Sequence, residues 1–209
     1  GQLLNEVVRA MALTRSSEVR RQYLEGMRDS LLGQHDLTPP RGWKDIESEL
    51  LKDEALKRLG LQVGQLFGNA EAGATQLAEL VNPSTPTERM IEILKIFGQK
   101  SFPPAFDAIF AALDNKSLRL TALRSLAVYR NGAIAKKIVD NYSEYTDEEK
   151  SAALQTLATR RNTGSYLLAT LKKEKIPRSD ISSVIARQLR RVLGPSFIDW
   201  WGSMESMTK

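Results

Sequence analysis

The sequence predicts an all-α fold: an α-solenoid (α-α superhelix) of about five helical pairs behind an N-terminal helical extension. Three observations predict it. First, a pattern recurs about every thirty residues: Val63-Gly64-Gln65-Leu66-Phe67-Gly68 lies over Ile93-Leu94-Lys95-Ile96-Phe97-Gly98. The apolar positions continue at Leu123, Leu126 and Ala127, then at Leu154, Leu157 and Ala158. Second, each block holds one turn residue between two amphipathic segments. These are Asn69, Ser101, Asn131, Asn162 and Gly194, at intervals of 32, 30, 31 and 32. A two-helix unit of that length marks stacked helical repeats. Third, β-branched residues are scattered and no run alternates as a half-buried strand would.

The elements follow in order. Leu3 to Leu13 and Ser17 to Leu32 predict a helical pair, the second with an apolar stripe of Val19, Tyr23, Met27 and Leu31. Gly33 ends it. Thr38-Pro39-Pro40-Arg41-Gly42-Trp43 is a stiff connector, because proline fixes its own φ and restricts the residue before it. Trp43 leads a short helix to Leu51, with Ile46, Leu50 and Leu51 on its apolar side. First helices of the repeats then start near Asp53, Thr85, Asn115, Thr146 and Ser179. Thr85 with Glu88, and Thr146 with Glu149, have the spacing of capping boxes. Second helices follow the five turn residues, with Pro103 and Pro195 near their first turns, where proline is tolerated. The expected organisation is an N-terminal helical region and Pro-rich connector at 1–52, repeats at 53–202 and a C-terminal linker at 203–209, forming one continuous unit.

Composition restricts the chemistry. The chain has no cysteine, which excludes disulfides, thiolate nucleophiles and thiolate metal sites. No apolar stretch is long enough to span a bilayer, so no membrane insertion is expected. The first residues do not resemble a signal peptide, and Gly1 reads as an expression remnant of a piece cut from a longer polypeptide. His35, the only histidine, sits in a polar loop without the partners that a triad or a zinc site needs. The glycines are isolated and make no phosphate loop. Asp45-Glu47-Glu49 and Asp147-Glu148-Glu149 sit at helix beginnings, where the dipole favours negative charge. Trp200 and Trp201 suit the sealing of a terminal repeat better than the stacking of a nucleobase. No catalytic, cofactor-binding or metal-ligating residue is assigned.

Charge is unevenly placed. Residues 1–104 hold 13 Lys and Arg against 14 Asp and Glu. From Arg160 to Arg191 there are nine bases against Glu174 and Asp180. Within that stretch Arg160, Arg161, Lys172, Lys173, Lys175 and Arg178 form the candidate interaction surface, suited to an acidic partner.

Residue identities add a resemblance. The run Arg160-Arg161-Asn162-Thr163-Gly164-Ser165-Tyr166-Leu167-Leu168 leads to Lys173-Glu174-Lys175-Ile176-Pro177-Arg178-Ser179-Asp180-Ile181-Ser182. Ala186-Arg187-Gln188-Leu189-Arg190 and Trp201-Gly202 follow. Together with Pro39-Pro40-Arg41-Gly42-Trp43, these resemble the HEAT-like repeat region of large exported "membrane-bound dehydrogenase", or c-type haem-binding, proteins of planctomycetes, verrucomicrobia and bacteroidetes. Ile-Pro-Arg-Ser-Asp is the specific part. The resemblance implies a non-enzymatic scaffold and spacer between a sugar-dehydrogenase-like domain and a c-type cytochrome domain, in a periplasmic or otherwise exported parent protein. Catalysis and haem would belong to those flanking domains, because this chain has no Cys-x-x-Cys-His and no propeller strands. The expected partners are flanking domains of the same polypeptide or another protein, and no cofactor is expected within the chain. The alternative is a HEAT-like DNA-binding protein or DNA glycosylase. Specific nucleic-acid binding is not expected, because no base recurs at one position of every repeat.

Overall fold

Thirteen α-helices and no strand occur among the described residues, so the chain is all-α. The coordinates are a computed structural model that describes residues 2–31, 34 and 37–202. Gly33, His35 and the 203–209 linker, each given a role above, lie outside the described residues. The chain divides into two units, Gly1–Ala108 and Ile109–Lys209, a division that falls inside the stretch read from sequence as repeats.

In the first unit, α1 (Gln2–Leu13) packs on α2 (Ser17–Leu31) and α3 (Trp43–Leu50), and both of these pack on α4 (Lys57–Leu66). In turn α4 packs on α5 (Ala70–Val81) and α6 (Thr87–Gln99), which also touch each other. Met11, Leu24, Met27, Trp43, Leu50, Val63 and Phe67 fill the core, with the Trp43 and Phe67 rings edge to face at 5.1 Å. Asn69 starts α5 as expected: its Oδ1 accepts from the amides of Glu71 and Ala72. Such a cap is worth about 1 kcal/mol. A short helix α7 (Phe106–Ala111) carries the boundary between the units.

In the second unit, α8 (Arg119–Ser125) runs on into a 3₁₀ turn at Leu126–Val128 and packs on α10 (Asp147–Leu157). The helix α9 (Ala133–Asp140) packs on α11 (Arg161–Lys172), which also contacts α10 and α12 (Ser183–Leu193). Finally α13 (Pro195–Trp201) folds back on α12 through Gly194, whose φ of 59° is the left-handed backbone that glycine tolerates. Leu123, Leu126, Leu154 and Leu157 are each at most 1% exposed, so the spaced leucines face the interior. Full burial of each is worth about 1.5–3 kcal/mol. Buried polar groups tie these helices together. The Thr156 hydroxyl donates to the Leu123 carbonyl at 2.8 Å, and Arg119 Nε donates to the Leu113 carbonyl at 2.8 Å.

Several expectations need correction. The buried stripe of α2 is Leu24, Met27 and Leu31, while Val19 is exposed and Tyr23 half-buried. The helix is therefore rotated from the predicted face, with its i, i+3, i+7 leucine–methionine row turned inward. The Thr146–Glu149 capping box forms in full. The Thr85–Glu88 box does not: Pro86 occupies the cap position, and the Thr85 hydroxyl donates to the Glu79 carbonyl at 2.7 Å. There it adds a second donor to the Glu79 carbonyl, which already accepts from the Asn82 amide that closes α5, instead of capping an amide at the start of α6. Asp53 and Asn115 begin a helical turn rather than the helix proper. Their side chains accept from the amides of Ala55 and Ser117, and α4 and α8 start four residues on. Asn162 is not a turn residue, since α11 begins one position earlier at Arg161.

Candidate functional site

That last correction changes the character of the basic stretch. Arg160 is the extended N-cap of α11 and Arg161 its first residue, so both cations stand at the positive end of the helix dipole. No side chain caps this terminus. The first intrahelical bond runs from the Gly164 amide to the Arg160 carbonyl, which leaves the amides of the first turn without helical partners. Each cation so placed is disfavoured by about 0.3–1 kcal/mol unless an anion joins it.

Arg160 is anchored. Its Nη1 donates to the Tyr129 carbonyl at 2.7 Å and its Nη2 to the Val128 carbonyl at 3.2 Å, which ends the 3₁₀ turn after α8. Burial first, and then the neighbouring Arg130, pull its pKa below the ordinary value. A cleft of about 460 Å³ opens here, lined by Arg130, Thr159, Arg160, Arg161, Asn162 and Val192. No carboxylate lines it, and Arg130, Arg160 and Arg161 form no ion pair among the described residues. Three fixed or nearby guanidinium groups without a counter-charge make a site for carboxylate or phosphate oxygens.

The six sequence-derived candidates do not converge. Lys172 and Lys173 are exposed at the opposite end of α11, about 16 Å away by helical rise, where the dipole favours them. Lys175 is exposed just beyond Glu174, whose φ of 56° forms the left-handed close of the helix. Arg178 is engaged within its own unit. Its guanidinium lies 4.2 Å from the Trp201 ring centroid and 5.5 Å from that of Trp200, and Nη2 donates to the Trp201 carbonyl at 2.5 Å. Trp201 is buried and stacks on Phe197 at 5.4 Å, so this tryptophan seals the end of α13. Ile176 and Asp180 of the Ile-Pro-Arg-Ser-Asp segment are also engaged within the unit. Ile176 is buried, and Asp180 accepts from the Tyr142 hydroxyl at 2.9 Å.

Sequence reasoning missed Arg130, which lies outside the basic run. The repeat itself held the signal: Lys100, Arg130 and Arg161 precede Ser101, Asn131 and Asn162, which the period of about thirty residues brings to matching positions in three successive blocks.

Glu47, read from sequence as a dipole-favoured residue near a helix start, is instead 5% exposed. Burial raises its carboxyl above the usual carboxylate range, against the opposing pull of nearby Asn69 and Trp43, while Glu71 adds to the rise. Its neighbours in sequence fare differently, as Glu49 pairs with Arg20 at 2.9 Å on the surface. Among the described residues no group of three or more His, Asp or Glu side chains could hold a metal ion. Comparison with family models, curated proteins and solved structures finds no match.

Proposed function

We propose that the chain is a non-enzymatic interaction and spacing module whose helices form a HEAT-like α-solenoid and whose basic cleft at the start of α11 docks an acidic partner. The stacking of α4 on α6, α8 on α10 and α9 on α11 supports the architecture, because like elements of successive blocks pack on one another. The observation that carries the docking is the cleft at the start of α11, lined by Arg130, Arg160 and Arg161 and by no carboxylate of its own. The partner is a flanking domain of the same polypeptide or another protein. The resemblance to exported haem-binding proteins supports a parent with a c-type cytochrome domain, and a Cys-x-x-Cys-His motif after Lys209 in the full-length polypeptide is the expected finding.

The test uses Arg130→Glu with Arg161→Glu. An oligoglutamate peptide should bind the unmodified chain with strong salt dependence and lose about tenfold or more in affinity to the double reversal, mostly through a slower on-rate. Duplex DNA should bind only at the non-specific level, about 10⁻⁴–10⁻⁶ M at physiological salt. Submicromolar duplex binding that the two reversals abolish would establish the DNA-binding alternative instead.

A further inference from the structure

Asn69, Asn115 and Asn131 close their turns with the same hydrogen bond. Oδ1 of each accepts from the backbone amide two residues on, at Glu71, Ser117 and Ala133, in every case at 2.9 Å. The residue between differs, being Ala70, Lys116 and Gly132. Asn131 is the one asparagine of the sequence that glycine follows.

That glycine matters chemically. The amide nitrogen after an asparagine can attack the side-chain Cγ, and a Cβ on the following residue crowds the approach. Asn131 and Gly132 are both exposed, and a Cβ on Gly132 would meet nothing within 4 Å. The Gly132 amide and Asn131 Nδ2 donate to no group among the described residues, so nucleophile and leaving group are both left to water. The remaining atom is held. Ala133 donates to Oδ1, the oxygen on which negative charge builds when Cγ is attacked, and a donor placed there lowers the barrier.

We propose that Asn131-Gly132 is a deamidation site and that its conversion is a charge switch on the neighbouring arginine cleft; the switch rests on the docking function proposed above. The Gly132 nitrogen loses its proton to solvent base and bonds to Asn131 Cγ. The Cγ–Nδ2 bond breaks, ammonia leaves, and a cyclic imide results. Water then opens the ring at either carbonyl to give aspartate or isoaspartate, so one amide and one water become a carboxylate and an ammonium ion. The new carboxylate follows directly on Arg130, which lines the cleft with Arg160 and Arg161 and no acidic residue. It supplies the counter-charge that an acidic partner would otherwise bring. Isoaspartate also adds a methylene to the main chain between Arg130 and α9. An aspartate oxygen accepts from Ala133 as the amide oxygen does, so the turn itself is kept.

The test incubates the full chain in mildly alkaline buffer and follows each asparagine peptide by mass, with an isoaspartyl methyltransferase to report isoaspartate. Asn131 should convert at least about tenfold faster than Asn69 or Asn115, which hold the same turn but precede a Cβ. Gly132→Ala should suppress the conversion, and the position accepts alanine because its φ is −65° and the space around it is open. An intact Asn131, comparable rates at the three asparagines, or undiminished conversion in Gly132→Ala would overturn the modification site. For the switch, Asn131→Asp should weaken oligoglutamate binding about two- to fivefold, with the loss shrinking as salt rises. An unchanged affinity in that variant would overturn the switch. If the unmodified chain does not bind oligoglutamate at all, the docking function fails and takes the switch with it, while the mass measurement still decides the modification.

Discussion

Thr156 in the second unit and Gln76 in the first are both polar and buried, on helices that each pack against two neighbours. Thr156 donates its hydroxyl across to the Leu123 carbonyl of the adjacent helix. Gln76 has no hydrogen-bond partner at either amide atom, and Gln62 and Gln65 each leave Oε1 without one. The contrast extends beyond this pair. In the unit Ile109–Lys209, Arg119, Glu149, Thr163 and Thr170 all reach a partner, and Tyr145 alone leaves its hydroxyl open among the buried polar side chains described. In the unit Gly1–Ala108, open atoms run through Trp43, Glu47, Gln62, Gln65, Gln76 and Gln99. One unit satisfies its buried polar groups, across helices at Thr156 and within a helix, cap or turn at the others. The other keeps them open, at about 1–3 kcal/mol for each unmet group, and offers the kind of site that ordered water or a ligand fills.

The strongest challenge to the second unit is loss of its leucine ladder. Leu126→Ala or Leu157→Ala should destabilise by about 2–5 kcal/mol in denaturant unfolding. A loss below about half a kcal/mol at both positions would show that the thirty-residue register does not organise this core.

Next comes a matched pair of polar-to-apolar changes. Thr156→Val should destabilise by about 1 kcal/mol, because it removes the donor to the Leu123 carbonyl. Gln76→Met, similar in shape, should be neutral or stabilise by about 1 kcal/mol, because it removes an amide with no partner. If both changes destabilise alike, the open amides are satisfied in solution and the contrast between the units falls.

The smallest expected effect is in pH. Glu47 titrates above its ordinary value of 4.5 when folded, so its protonated form is the one the fold favours. Its contribution to stability is complete below the unfolded value and is lost as pH rises through the folded one. Glu47→Gln should therefore gain stability relative to the unmodified chain as pH rises above the ordinary value of 4.5. A difference independent of pH would mean that Glu47 is solvated.

How much of this was legible in the sequence depended on the range of the interaction. The leucine ladder, the Asn69 cap and the Thr146–Glu149 box are set by residues close together or by a repeating period, and each is where the pattern puts it. Thr85 was misplaced because its hydroxyl had a competing acceptor in Glu79, six residues back across a turn. Glu47 could not be separated from Asp45 and Glu49 by local reasoning, since its burial depends on a glycine seventeen residues away in another helix. Arg130 was legible in principle, but only by aligning the turns rather than by counting charge in a window. The match of Arg130-Asn131 to Arg161-Asn162 was already present in the period that predicted the fold.

Arg178 has a mechanical consequence. Tension applied to the chain beyond Trp201 reaches α13 first, and Arg178 grips the Trp201 carbonyl and both terminal indole rings. Two residues along the same short turn, Asp180 is bolted to the Tyr142 hydroxyl. Trp201 is thus linked to Tyr142 through Arg178 and Asp180, so pulling α13 away breaks side-chain contacts on this turn as well as its packing on α12.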